Sequence, residues 1–220
     1  VTNRVPIVLG MEKLTKDDPE YWGLATLLTD EQAEVALKMK RRVPRTLDDM
    51  VRLTGMERDH VEKIMEDMSR LGVVEYNWEN EKHEKQYVLP MFVPGSAEFT
   101  NMNAKLLEEH PEMGRFFERM SFLPLTKITP MVPPGGAGIG MHVIPVEKAI
   151  EMENTSIPIE HISHWLDKYD GKYAKSPCSC RRSRKTYDEG CGDVEDGWCI
   201  AVGDMADYVV ETNKGGEYIT

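Results

Sequence analysis

All four cysteines of the 220-residue chain fall between positions 178 and 199, in Cys178-Ser179-Cys180-Arg181, Gly190-Cys191-Gly192 and Trp198-Cys199-Ile200. A chain that used cysteine as a small apolar filler would scatter it through the core. Thiols at the spacing C-x-C-x10-C-x7-C can instead converge on one point. Four thiolates are the ligand set of a structural zinc ion or an iron–sulfur cluster. Disulfides are the weaker reading, because Cys178 and Cys180 are too close to pair without strain. Nothing near Val5-Pro6-Ile7-Val8-Leu9 reads as a secretory signal either, since that short run meets Glu12, Lys13 and Lys16. The expected location is cytoplasmic. Zinc knuckles take their sulfurs in C-x2–4-C pairs, from which the C-x-C start departs, whereas cubane clusters accept more varied spacings. A [4Fe–4S] cluster on Cys178, Cys180, Cys191 and Cys199 is the favoured expectation, with zinc as the alternative.

The flanking residues point the same way. Arg181, Arg182, Arg184 and Lys185 follow the second cysteine in an otherwise acidic chain. Four thiolates around a cluster make a negative site, which adjacent guanidinium and N–H groups stabilise. Arg181 is therefore expected within hydrogen-bonding or close electrostatic reach of the cluster. The competing reading is a solvated basic turn balanced by Asp188, Glu189, Asp193, Glu195 and Asp196. Gly190, Gly192 and Gly197 flank the later cysteines and would let backbone amides approach sulfur.

With those residues in view, the segment resembles one found in iron–sulfur oxidoreductases of anaerobic bacteria. Their pattern runs C-P-C-R, then G-C, then a further C followed by F-G and A-x-Y. Here Cys178-Ser179-Cys180-Arg181, Gly190-Cys191, Cys199-Ile-Ala-Val-Gly203 and Ala206-Asp-Tyr208 are similar to it, and Gly215-Gly-Glu-Tyr-Ile219 resembles the G-R-E-I that follows. Ser179 stands where the family has proline. The likeness is specific over about residues 140–220 and architectural before them. It implies a winged-helix-like N-terminal region, an electron-transfer role for the cluster, and a ferredoxin-type or flavin-containing oxidoreductase component as partner. The family's downstream domains are not among these 220 residues.

Composition excludes some classes. The chain carries 27 basic against 38 acidic residues, for a net charge of −11. Residues 41–100 hold nine basic and twelve acidic groups, and residues 101–170 hold six and ten. No segment makes the basic face that nucleic acid requires. No apolar run is long enough to insert in a bilayer.

The elements that must position the cysteines are legible at low resolution, and the expected class is α+β, mainly helical. Residues 1–28 form an N-terminal extension, with Asp17 to Trp22 a turn into a short helix. Residues 29–100 read as a winged-helix-like domain. Thr29-Asp30-Glu31-Gln32 opens a helix to about Lys40, and Thr46 caps a short one carrying Leu47, Met50, Val51 and Leu53. After a turn at Gly55, a third helix spans about Glu57–Leu71 with Val61, Ile64, Met65, Met68 and Leu71 on one face. A hairpin follows from the alternation at 73–78 and 86–89. Residues 101–123 form a helical connector broken by Pro111. Residues 124–146 form a linker, since nine of the 22 residues from Pro124 to Pro145 are Pro or Gly. Its Gly135-Gly-Ala-Gly-Ile-Gly140 run lacks the spacing and the lysine of a phosphate cradle. Residues 147–220 are a small loop-rich, cluster-binding domain entered by a helix near Pro158, with Ile159, Ile162, Trp165, Leu166 and Tyr169 inward.

A winged helix raises DNA binding, and its third helix argues against it. Glu57, Asp59, Glu62, Glu66 and Asp67 outnumber Arg58, Lys63 and Arg70 there, while the wing adds Glu79, Glu81 and Glu84 against Lys82 and Lys85. Such a surface would meet phosphate repulsion. Of the dispersed histidines, only His161 and His164 share a helical face, and neither is assigned as a ligand. No Ser-His-Asp, H-E-x-x-H or paired-carboxylate arrangement stands out, so the expectation is a non-catalytic electron-transfer part of an oxidoreductase. Two alternatives stay open: a cluster-bearing redox sensor that binds DNA, and a zinc-stapled interaction protein. The final Gly-Gly-Glu-Tyr-Ile-Thr220 reads as the lead into a further element.

Overall fold

Two threonine capping boxes start the N-terminal helices in the computed structural model, which describes residues 13, 15–91, 95–117, 162–169, 171–189 and 197–220. A 3-10 turn (Pro19–Trp22) and α1 (Gly23–Leu27) precede them. Thr29 accepts from the Gln32 N–H at 3.2 Å and its own N–H is taken by the Gln32 side chain, which begins α2 (Asp30–Lys38). Thr46 and Asp49 repeat the device for α3 (Leu47–Thr54). A left-handed Gly55 ends α3, and α4 (Arg58–Leu71) follows at once.

At the end of α4 only glycine fits. Gly72 has φ +85°, and a Cβ there would lie 2.6 Å from the backbone of Phe99 and Thr100. The apolar stripe expected on α4 is buried as Val61, Ile64, Met65 and Met68. Glu66, expected outward, is half-buried: its carboxylate accepts from Lys85 and from the Tyr87 hydroxyl, each at 2.6 Å. Those two partners stand on and beside the hairpin, so the residue on α4 that faces the hairpin is held there despite its charge.

The hairpin forms from β2 (Glu75–Asn77) and β3 (Gln86–Val88), with Tyr76 opposite Tyr87. A third strand, β1 (Arg45–Thr46), lies between α2 and α3 and pairs with β3, giving the order β1-β3-β2. Two polar residues carry no alternation signal, and the sequence does not announce this strand. Then come α5 (Ser96–Asn101), α6 (Ala104–Glu109) and α7 (112–117), the break falling at Pro111 as expected.

Regular elements make up much of the described C-terminal part. After α8 (Ile162–Asp167), β4 (Tyr173–Pro177) is the centre of a second antiparallel sheet, flanked by β5 (Trp198–Val202) and β6 (Glu217–Ile219). Two helices join it, α9 (Ser179–Lys185) and α10 (Asp204–Glu211). Among the described residues the chain is thus α+β, with two small antiparallel sheets. One buried cluster runs from Val35, Met50 and Met65 to Ala174, Ala206 and Tyr208. Among the described residues, no helix is long and apolar enough to cross a membrane. The Gly135–Gly140 run, Pro158 and Ile159 lie outside the described residues.

Candidate cysteine centre

Strand β4 alternates half-buried and buried residues, with Ala174 and Ser176 fully enclosed. Its last residue, Pro177, stands opposite Trp198, and Ser176 stands opposite Cys199. The chain then turns at Cys178, the extended N-cap of α9, whose N–H donates to the Gly197 carbonyl at 3.0 Å. Cys180 follows in the first turn of α9. Strand pairing therefore carries the last cysteine of the motif back to the first two.

Cys178 stands opposite Gly197 and Cys199 opposite Ser176, so the two lie diagonally across the β4–β5 ladder. Burial pushes the Cys199 thiol up to about 11, and the Cys178 and Cys180 sulfurs add to this, while the Ser179 backbone N–H opposes it. Cys180 reaches solvent on one side, yet desolvation on the other raises its pKa as well. Cys178 and the carboxyl of Glu98 on α5 push it in the same direction, and the Ser179 hydroxyl opposes. Thiolates crowded in this way repel one another, and a bound metal centre removes that repulsion.

Ser179 is 1 % exposed, and its hydroxyl oxygen finds no hydrogen-bond partner among the described residues. It lies near enough to Cys180 to favour the thiolate without the geometry of a regular hydrogen bond.

The basic turn divides by function. Arg181 lies across Gly197, where a Cβ would come within 2.4 Å of the guanidinium Nε. It thus crosses the entry to the strand that carries Cys199. Arg182 is half-buried and donates to the Met102 carbonyl, and burial pulls its pKa down. Arg184 pairs with Glu189 at 2.7 Å, as the balanced-turn reading expects. The neighbouring Ser183 is buried and donates to the Gly114 carbonyl at 3.0 Å, which ties α9 to α7. Beside the centre a cavity of about 430 Å³ is lined by Leu107, Pro111, Pro177, Arg182, Lys185 and Trp198, among others.

The chain matches no family model, no curated protein and no solved structure. Its own residues carry the reading. Three of the four expected ligands are neighbours, while Cys191 lies outside the described residues, as do Gly190, Gly192, Asp193, Glu195, Asp196 and His161. Among the described residues, no group of three or more His, Cys, Asp or Glu side chains stands ready to hold a metal ion. The donor types are those of zinc or an iron–sulfur cluster: thiols at the start of α9 and, across the ladder, on β5. Sequence reasoning missed the Ser179 hydroxyl, the approach of Glu98 and the packing of Arg181 on Gly197. A serine between two cysteines was the visible signal for the first, and nothing local announced Glu98.

Proposed function

We propose that the chain is an electron-transfer module of a larger oxidoreductase, with Cys178, Cys180, Cys191 and Cys199 holding one [4Fe–4S] cluster. The observation that carries this reading is the β4–β5 pairing, which sets Ser176 opposite Cys199 and joins the Cys178 N–H to Gly197, so that the last cysteine of the motif returns beside the first two. When bound, the cluster supplies one-electron transfer. The protein's own part is to bring the cysteines together by pairing β4 with β5 and to lay Arg181 over Gly197 at the entry to the Cys199 strand. A relay needs a donor and an acceptor close by, and a ferredoxin-type or flavin-containing component is the partner proposed.

We read residues 29–100 as a winged helix. The order of α2, β1, α3, α4, β2 and β3, with β1 on the outer side of β3, supports this. The surface of α4 favours a protein partner over DNA. Arg58 is paired with Asp48, and Arg70 with Asp67 at 3.2 Å, so the chain's own acids occupy these cations. Glu57, Asp59 and Glu62 stand exposed beside them.

Purification without oxygen, followed by iron, acid-labile sulfide and zinc assays, tests the cluster. Four iron and four sulfide per chain are expected on cubane stoichiometry, about one cluster each. Stoichiometric zinc without sulfide would overturn it.

A further inference from the structure

Two short helices and the end of a strand pair each turn one side to the cavity beside the cysteine motif. From α6 come Ala104, Leu107 and Glu108, whose spacing of i, i+3, i+4 puts them on one helical face. From α9 come Arg182 and Lys185, three apart and likewise on one face. The sheet supplies Pro177 and, opposite it in the register, Trp198. At about 430 Å³ the space falls within the roughly 300–1,000 Å³ of small-molecule sites. Its make-up is also theirs: apolar walls with a few polar groups that fix orientation.

The charges select among ligands. Among the described lining residues two cations, Arg182 and Lys185, stand against one carboxylate, Glu108, a surplus of one positive charge in a chain whose net charge is −11. Arg182 is half-buried, and it donates to the Met102 carbonyl, which anchors the guanidinium. A guanidinium carries further donors in the same plane, in the fork that suits a carboxylate. Trp198 is 48 % exposed, and the Lys175 ammonium lies over its ring, 4.6 Å from the centroid. One face of the indole is thus covered, and the remainder borders the cavity.

From this we infer that the cavity binds a small aromatic carboxylate, with its ring against Trp198, Leu107 and Pro177 and its charge toward Arg182 and Lys185. The apolar walls supply the affinity, and the two cations supply the choice of a monoanion over a neutral ring. The inference stands apart from the cluster reading, since none of these residues is a proposed ligand of the centre.

The test titrates full chain, prepared without oxygen, with 2-naphthoate and with its neutral isostere 2-naphthamide, by calorimetry at low salt. Naphthoate is expected to bind with one-to-one stoichiometry, about tenfold more tightly than the amide. Lys185 and Glu108 are exposed, so their substitution leaves the packing alone, whereas Arg182 also holds Met102 and is kept. Lys185→Gln is expected to weaken naphthoate about threefold and Glu108→Gln to tighten it about threefold, with the amide unmoved by either. Ala104→Phe, which narrows the cavity, is expected to weaken both probes. No naphthoate binding by the folded parent overturns the inference. So does equal affinity for the two probes, which is what cations serving only the C-terminal end of α9 would give. Binding that Ala104→Phe leaves unchanged lies elsewhere on the molecule and overturns it too.

Discussion

The Lys214 ammonium donates to the Arg70 carbonyl at 2.6 Å, joining residues 144 positions apart. It also donates to Ser69 at 3.1 Å and Thr212 at 2.8 Å, and the side chain is fully buried. Ser69 and Arg70 offer carbonyls from the last turn of α4, which have no partner within the helix and lie at the negative end of its dipole. A lysine from the C-terminal region thus closes a helix of the N-terminal region.

Replacing Lys214 tests that closure. Burial pulls its pKa down to about 7, from an ordinary value of 10.5. Because the folded value is the lower one, the unfolded chain binds more protons between pH 7 and 10.5. This lysine's contribution to stability therefore rises with pH through that window and is level below it. Lys214→Met is expected to lower stability by about 2 kcal/mol at pH 9 and by less near pH 6. Urea unfolding of both proteins at the two pH values measures the difference. An equal loss at both pH values would show that the amine keeps its charge throughout.

Tyr208 serves the same junction. Its buried hydroxyl lies 3.1 Å from the Ser69 carbonyl and 2.9 Å from that of Val74, and its ring meets Phe99 and Tyr76 edge-on. Tyr208→Phe keeps the ring contacts and loses the donor, for an expected cost of about 1–2 kcal/mol. Tyr208→Ala removes the ring as well, and about 3–5 kcal/mol is expected. Denaturant midpoints at constant m-value separate the two.

Gly197 and Arg181 should behave as a unit. A methyl group at Gly197 displaces the guanidinium that rests on it. In loaded protein, Gly197→Ala and Arg181→Ala are each expected to lower the potential, and the double variant to fall no further than Arg181→Ala alone. Additive shifts would mean that Gly197 acts on the strand and not through the arginine.

Serine in place of any one of Cys178, Cys180, Cys191 or Cys199 is expected to reduce iron and sulfide content per chain and the melting temperature of loaded protein. Full content in the Cys191 variant would remove that residue from the ligand set.

Local chemistry was legible in the sequence, and distant pairing was not. Thr29 with Gln32, the cap at Thr46, and Gly55 each act within four residues, and all three stand where the pattern puts them. The apolar face of α4 and the β2–β3 hairpin follow from their periods. Periodicity says nothing of Tyr208 reaching Ser69, 139 residues away. Lys214 sits in Thr-Asn-Lys-Gly-Gly, which reads as a solvated turn, and only the carbonyls of a remote helix draw it inside. Residue type and spacing marked the cysteines as a group. That Cys199 would return beside the first two depends on a strand register, Ser176 opposite Cys199, that no local signal encodes.

That register bears on the order of events in making the proposed centre. The β4–β5 ladder and the bond from Cys178 N–H to Gly197 hold Cys178 and Cys199 diagonally across one face, through backbone contacts alone. An arriving ion would meet a chelating pair whose loop-closure entropy was already lost when the sheet formed. Maturation could then proceed by insertion into a folded scaffold, with the sheet and not the metal choosing which two sulfurs bind first.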